Sequence, residues 1–255
     1  MPVRTAAELA TESLVQARRT GRPASAATAG LVDAAAAYEV QDAVAQQMNW
    51  FADGPPRAWK SGGPSRAALL THAALPPPGV WASPADARAW PFRLRGIEAE
   101  IALRLGRDVD PALATSIDAR QATELVEAMC VSIEIVDSRW SEGLDASPLA
   151  KLADLQSHGA LVLGSWVPFV TRDWTAQECS VRIGAQARVD RIGSHAMADP
   201  VFVLPAWLRH ATRTGRSVAR GTVVTTGTWV GVLHATVGDL VHAEFAGIGS
   251  ASVQL

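Results

Sequence analysis

The chain has 255 residues and a formal net charge of −2, enough length for one large domain or for one domain with a small lobe. Balanced charge, with no basic stripe and no acidic tail, speaks against nucleic acid as a partner. No uninterrupted apolar run is long enough to span a bilayer, so no membrane is expected. The opening Met1-Pro2-Val3-Arg4-Thr5 has no apolar leader-like stretch. Cys130 and Cys179 sit in apolar segments and read as buried thiols, so a cytoplasmic protein is expected. Nine tryptophans, scattered along the chain, are expected in the core or at a subunit interface.

Thr5 followed by Glu8 has capping-box spacing and opens a helix through about Arg18, broken at Gly21-Arg22-Pro23. Ala36, Val40, Ala43 and Val44 recur at helical spacing, which predicts a second helix over 33–51. Asp53-Gly54-Pro55-Pro56 closes it. Residues 1–56 thus form an N-terminal helical lobe, and 57–255 form a mixed β domain. Arg57 to Lys60 reads as a short strand running into the turn Ser61-Gly62-Gly63. Residues 65–72 suit a short helix, Leu75 to Gly79 a rigid connector, and Val80-Trp81 a strand.

Ile97, Ala99, Ile101, Leu103 and Leu105 alternate with polar positions, the mark of a strand with one buried face. The opposite face carries Glu98 and Glu100, two carboxylates at i and i+2 that repel each other unless water or a cation relieves them. A helix is expected over 116–129. The strand that follows places Val131, Ile133 and Ile135 on one face and Glu134 on the other. A carboxylate in so apolar a strand needs a partner, an arginine or a metal. Glu98, Glu100 and Glu134 are therefore candidate ligands for a hard cation, Mg²⁺ or Mn²⁺. Asp137 and Arg139 read as structural.

Gln156-Ser157-His158-Gly159 leads into the strand Ala160 to Gly164, which suits a pocket wall, and His158 is a candidate base. Cys179 to Val189 reads as a hairpin. Asp199-Pro200 opens a helix running through Trp207 and ending before Gly215. Gly221 to Gly227, Leu240 to Phe245 and Ser250 to Leu255 are strands. The class expected is α+β.

Several of these segments, in this order, resemble one family. They are Trp59-Lys60-Ser61-Gly62, Ile97-Glu98-Ala99-Glu100-Ile101-Ala102 with Leu105-Gly106-Arg107-Asp108, Ile133 to Arg139, Thr226-Gly227, and Gly247 to Val253. Together they look like the 2-keto-4-pentenoate hydratase / 4-oxalocrotonate decarboxylase family of the fumarylacetoacetate hydrolase superfamily, from about residue 30 to the end. The resemblance implies a mixed β-roll or barrel-like core with a small N-terminal lobe. It implies a divalent cation on Glu98, Glu100 and Glu134, an active-site lysine at Lys60, and substrate contacts from Thr226 and from Lys151, where hydrolase relatives carry another active-site lysine. Ser157 and His158, in the pocket-wall segment, are the further candidate substrate contacts. It also implies a homo-oligomer, or a complex of paired hydratase and decarboxylase chains.

The chain departs from that pattern around the substrate. Leu75-Pro76-Pro77-Pro78-Gly79 carries no acid where hydratases have one. Ala153-Asp154-Leu155-Gln156-Ser157-His158 replaces an Ala-Asp-Asn-Ala-Ser-Ser run, and Met197-Ala198-Asp199-Pro200 replaces Leu-Gly-Asn-Pro. The function expected is metal-dependent addition of water to a 2-hydroxy-2,4-dienoate, giving a 4-hydroxy-2-oxo acid in aromatic meta-cleavage catabolism. The alternatives are a 4-oxalocrotonate-type decarboxylase and a non-catalytic, metal-stabilised partner of an active homologue.

Overall fold

The computed structural model describes residues 4–255, so part of the opening stretch read for a leader lies outside them. Helix α1 spans Ala6–Thr20 with the expected capping box, Thr5 accepting from the Glu8 N–H and Glu8 accepting from the Thr5 N–H. Helix α2 spans Ala34–Gln47 behind the N-cap Asp33. It stops short of the expected Phe51, because Asn49 leaves the helical region at φ 55°. The two helices share an apolar cluster (Leu14, Val40 and Val44) with Trp140, Ala150 and Leu152 from later in the chain.

The strands that follow are β1 (Ala58–Gly62), β2 (Thr71–Ala74), β3 (Val80–Ala82), β4 (Ala85–Asp86) and β5 (Gly96–Leu105). Short helices α3 (Pro111–Ser116) and α4 (Ala119–Thr123) precede β6 (Val126–Val136). Helix α5 (Pro148–Ala153) then precedes β7 (His158–Leu163) and β8 (Val167–Pro168). The hairpin β9 (Glu178–Ile183) and β10 (Val189–Ile192) leads to α6 (Leu204–Ala211). The chain ends with β11 (Val223–Thr225), β12 (Leu233–His234), β13 (Leu240–Phe245) and β14 (Gly249–Gln254).

Two mixed sheets result. The larger has the order β2-β1-β11-β5-β6-β7-β3, with β12 beside β5 and β8 beside β6; the smaller runs β10-β9-β13-β14-β4. Ile97, Ile101 and Leu103 of β5 and Val131 and Ile133 of β6 pack with Val181, Val241 and Phe245 of the smaller sheet in one core. Five tryptophans are buried, including Trp140, Trp207 and Trp229, and both cysteines are buried free thiols. No helix among the described residues is long and apolar enough to cross a membrane.

One expected helix is absent and another is much shorter than expected. Residues 65–70 are turns, and Thr71–Ala74 is a strand laid antiparallel on β1, with Lys60 opposite Ala73. The four residues Thr71-His72-Ala73-Ala74 carry no local signal of that long-range pairing. Residues 116–129 hold the last residue of α3, the whole of the short α4 and the start of β6, which is already strand at Val126. Nearly every position of β6 is buried, so its first turn of sequence lacks the alternation that separates strand from helix.

Gly164 joins the layers: its N–H donates to Val131 O, and a Cβ there would lie 2.5 Å from Ser250 O in β14 and 3.0 Å from Val131 O. Both neighbours are backbone, so Gly164→Ala should force the sheets apart and cost about 1–3 kcal/mol. Urea unfolding with the slope unchanged checks this; an unshifted midpoint would contradict the close approach.

Candidate metal centre and active-site cleft

Strands β5 and β6 are antiparallel with Glu98 opposite Glu134 and Glu100 opposite Ser132. Directly opposed residues point to the same face of a sheet. Since Ile97, Ile101, Ile133 and Ile135 fill the core face, the three glutamates must share the other one. One carboxylate oxygen from each of Glu98, Glu100 and Glu134 lies within 4.8 Å of the others.

The polar groups around them are specific. Lys60 Nζ donates to Glu134 Oε1 at 2.5 Å and to Gln156 O at 3.2 Å. His158 Nδ1 is 3.0 Å from the same Oε1. The other oxygen, Glu134 Oε2, is buried with no hydrogen-bond partner. Glu100 accepts from the Thr225 hydroxyl and, at 3.0 Å, from the Gly227 N–H. Thr225 in turn is 2.9 Å from Ser132 Oγ.

Three carboxylates face one ammonium, so if all are ionised two negative charges stand uncompensated. Burial, and then the neighbouring glutamates, push Glu98 up to about 8; burial and Glu134 push Glu100 up to about 7. Burial raises Glu134 as well, but Lys60 and His158 outweigh it and hold that carboxyl below its ordinary value. The Lys60 ammonium loses solvent, yet Glu134, Glu98 and Glu100 keep its pKa above the usual lysine value. Burial lowers His158, against the pull of Glu134. An excess of two negative charges, an orphaned carboxylate oxygen and an all-oxygen donor set fit a hard divalent cation.

These groups open into a cleft of about 670 Å³ that Lys60, Glu98, Glu100, Lys151 and Ser157 line together with the apolar Leu69, Leu149 and Val232. Lys60, expected at the end of a strand before a flexible turn, lies inside β1, which continues to Gly62; it is paired with β2 on one side and β11 on the other, with its side chain 12% exposed. Lys151 sits on α5 and donates to Leu144 O at 3.0 Å. Ser157 Oγ is buried without a partner. Thr226, expected to face substrate, does not: its hydroxyl donates to Ile101 O at 2.8 Å and its side chain is buried. Alternation along β11 explains the shift, since it is Thr225 that points toward Glu100.

Thr225, Gly227 and Gln156 had no place among the expected site residues. Thr225 was within reach of the period-two pattern. Gln156 was not, because its carbonyl reaches Lys60 through an unusual backbone: Leu155, Gln156 and Ser157 have φ of 54°, 55° and 60°. Three successive non-glycine residues in the left-handed region hold strain of order 1–3 kcal/mol each.

The model of the fumarylacetoacetate (FAA) hydrolase C-terminal domain matches residues 68–255. The chain belongs to the fumarylacetoacetate hydrolase family. The three glutamates lie within the matched stretch, and Lys60 precedes it. Among curated relatives, a 2-keto-4-pentenoate hydratase of Dechloromonas aromatica (strain RCB) is 32% identical over 158 residues, 61% of this chain and 58% of that protein. The TodF product hydratase of Pseudomonas putida (strain F1) is 30% identical over 156 residues, 60% of this chain and 56% of that protein. The matched region thus spans under three fifths of either relative.

Two solved structures share the fold. The 4-oxalocrotonate decarboxylase from Pseudomonas putida G7, complexed with magnesium and adipate, superposes with a TM-score of 0.82 at 17% identity, over 100% of this chain and 98% of that one. A fumarylacetoacetate hydrolase from Exiguobacterium antarcticum gives 0.57 at 18% identity, over 79% and 75%. As a member of the family, this chain carries an acidic cluster able to take a divalent metal.

Glu98→Gln should therefore raise the thermal midpoint of the chain at pH 8 in EDTA, because it removes one of the repelling charges. The same variant should lose the stabilisation that Mg²⁺ confers on the unaltered chain, about 2.7 kcal/mol at a hundred times its Kd. Paired melts with and without Mg²⁺ check both signs; a metal-free variant less stable than its parent would contradict the repulsion.

Proposed function

We propose that this chain is a divalent-metal-dependent hydratase that adds water to a 2-hydroxy-2,4-dienoate and releases a 4-hydroxy-2-oxo acid, a reaction of aromatic meta-cleavage catabolism. The observation that carries this reading is the convergence of Glu98, Glu100 and Glu134 beside a charged Lys60 at the floor of an apolar-walled cleft. The curated hydratases among its relatives support it.

Glu98, Glu100 and Glu134 would hold Mg²⁺ or Mn²⁺, which when bound supplies Lewis-acid polarisation of a 2-oxo oxygen. The chain's own residues do the rest. Lys60, fixed as an ammonium by Glu134, offers charge to the substrate carboxylate and a proton to the dienol carbon skeleton. The Ser157 hydroxyl, lacking any partner, is free to hydrogen-bond substrate or the water that adds to it. Leu69, Leu149 and Val232 receive the hydrocarbon end and limit bulk water. His158 keeps Glu134 oriented through Nδ1.

A second reading is favoured by Lys151 in the cleft wall: a second ammonium there suits a substrate with a second carboxylate, as decarboxylation of 4-oxalocrotonate requires. We propose a homo-oligomer as the working assembly.

The purified chain, assayed by ultraviolet absorbance with 2-hydroxypenta-2,4-dienoate and Mg²⁺, should turn over, lose activity in EDTA and regain it with Mg²⁺ or Mn²⁺. With 4-oxalocrotonate the CO₂ released should be minor. Lys60→Ala should lose on the order of 10²–10⁴ in kcat, and Lys60→Arg should stay impaired because guanidinium keeps its proton. Full turnover in EDTA would sink the proposal, and CO₂ release without hydration would transfer it to the decarboxylase reading.

A further inference from the structure

A second cleft, of about 310 Å³, lies between the end of α1, the turn after α2, and the segment from Pro76 to Arg93. None of Lys60, Glu98, Glu100 and Glu134 lines it. Its volume falls in the range of small-molecule sites.

Its charge is opposite to that of the metal centre. Arg18, Arg22, Arg93 and Arg139 line it. Two carboxylates answer them, Asp137 in the wall and Asp154 beneath. Asp154 is occupied by Arg18 at 2.9 Å and Arg139 at 2.7 Å. Asp137 accepts the backbone N–H groups of Leu94 and Ser138, with Arg139 3.9 Å away. Arg93 donates to the carbonyl oxygens of Ser138 and Trp140, and Arg22 makes no side-chain hydrogen bond among the described residues. Neither has a carboxylate partner among the described residues. Four guanidiniums against two carboxylates leave a surplus of two positive charges.

The interior is also under-satisfied. Arg18 Nε is buried with no partner, and so is Nε2 of His158, which lines the same cleft and is 2% exposed. Burial, and then Arg139 beside it, lower Arg18 to about 9. The rest of the wall is flat and apolar. Trp50 carries the Arg18 guanidinium 4.9 Å above its ring, and Trp90 faces in from the other segment.

We propose that this cleft binds a small carboxylate borne on a planar apolar body, an aromatic carboxylate being the simplest case. Guanidinium forks recognise the carboxylate, and the indole faces and proline edges take the ring. The cleft is separate from the one that the glutamates open into, although His158 borders it and touches Glu134 through Nδ1, and the proposal does not rest on the reaction.

The test is a titration of the full chain with benzoate, followed by heat and by tryptophan fluorescence, in EDTA and separately in Mg²⁺. One saturable site with the same Kd in both is expected. Acetate, which lacks the ring, and benzyl alcohol, which lacks the charge, should each bind at least about tenfold more weakly. Arg22 is exposed and its side chain holds nothing in place, so Arg22→Glu should fold normally and weaken benzoate by about tenfold or more, with Arg22→Ala weakening it less. Absence of saturation by about 10 mM benzoate, equal binding of benzyl alcohol, indifference to Arg22→Glu, or a requirement for Mg²⁺ would each overturn the proposal.

Discussion

Like-charge repulsion among three glutamates on one sheet face is the constraint that shapes this molecule. Taking carboxylates out of water costs several kcal/mol per ion unless charge or hydrogen bonds replace the solvent. Almost every unusual polar feature nearby addresses that cost. Lys60 and His158 both approach Glu134 Oε1, while Thr225 and the Gly227 N–H approach Glu100. Even so, one ammonium does not balance three carboxylates, and Glu98 and Glu100 answer by favouring their protonated forms. A dication removes the conflict that the protein alone only moderates.

The architecture around the cluster follows from keeping it in place. The ten-residue β5 and the eleven-residue β6 are the long central strands of the larger sheet, and their register sets Glu98 against Glu134. Strand β1 reaches β5 only through β11, a three-strand span that delivers Lys60 to the same face. The left-handed run Leu155 to Ser157 then turns Gln156 O onto the ammonium. Beside it, a Cβ on Gly79 would sit in van der Waals contact, 3.4 Å from Gly159 O, so the Pro77–Gly79 turn packs against the start of β7.

Much of this was legible in the residues. Alternation along 97–105 and 131–136 placed three glutamates opposite a core face, and the capping signal of Thr5 with Glu8 and the helical spacing after Asp33 began their helices where the residues say. What stayed hidden depended on partners distant in the chain. Thr71–Ala74 is a strand because β1 is there to receive it. The start of β6 is strand because both its faces are covered, which removes the polar marker of direction. Helix α5 did carry a local signal, Ser147 as N-cap and Pro148 at the first helical position, that went unread. The positive φ values at 155–157 have no glycine to announce them.

Crystals grown or soaked with Mn²⁺ and measured for anomalous scattering test the central claim most directly. The account predicts one strong peak among the carboxylates of Glu98, Glu100 and Glu134, with Lys60 still beside Glu134. An empty cluster in crystals that bind Mn²⁺ elsewhere would contradict it, and would leave protons, not a metal, as the groups that reconcile these three side chains.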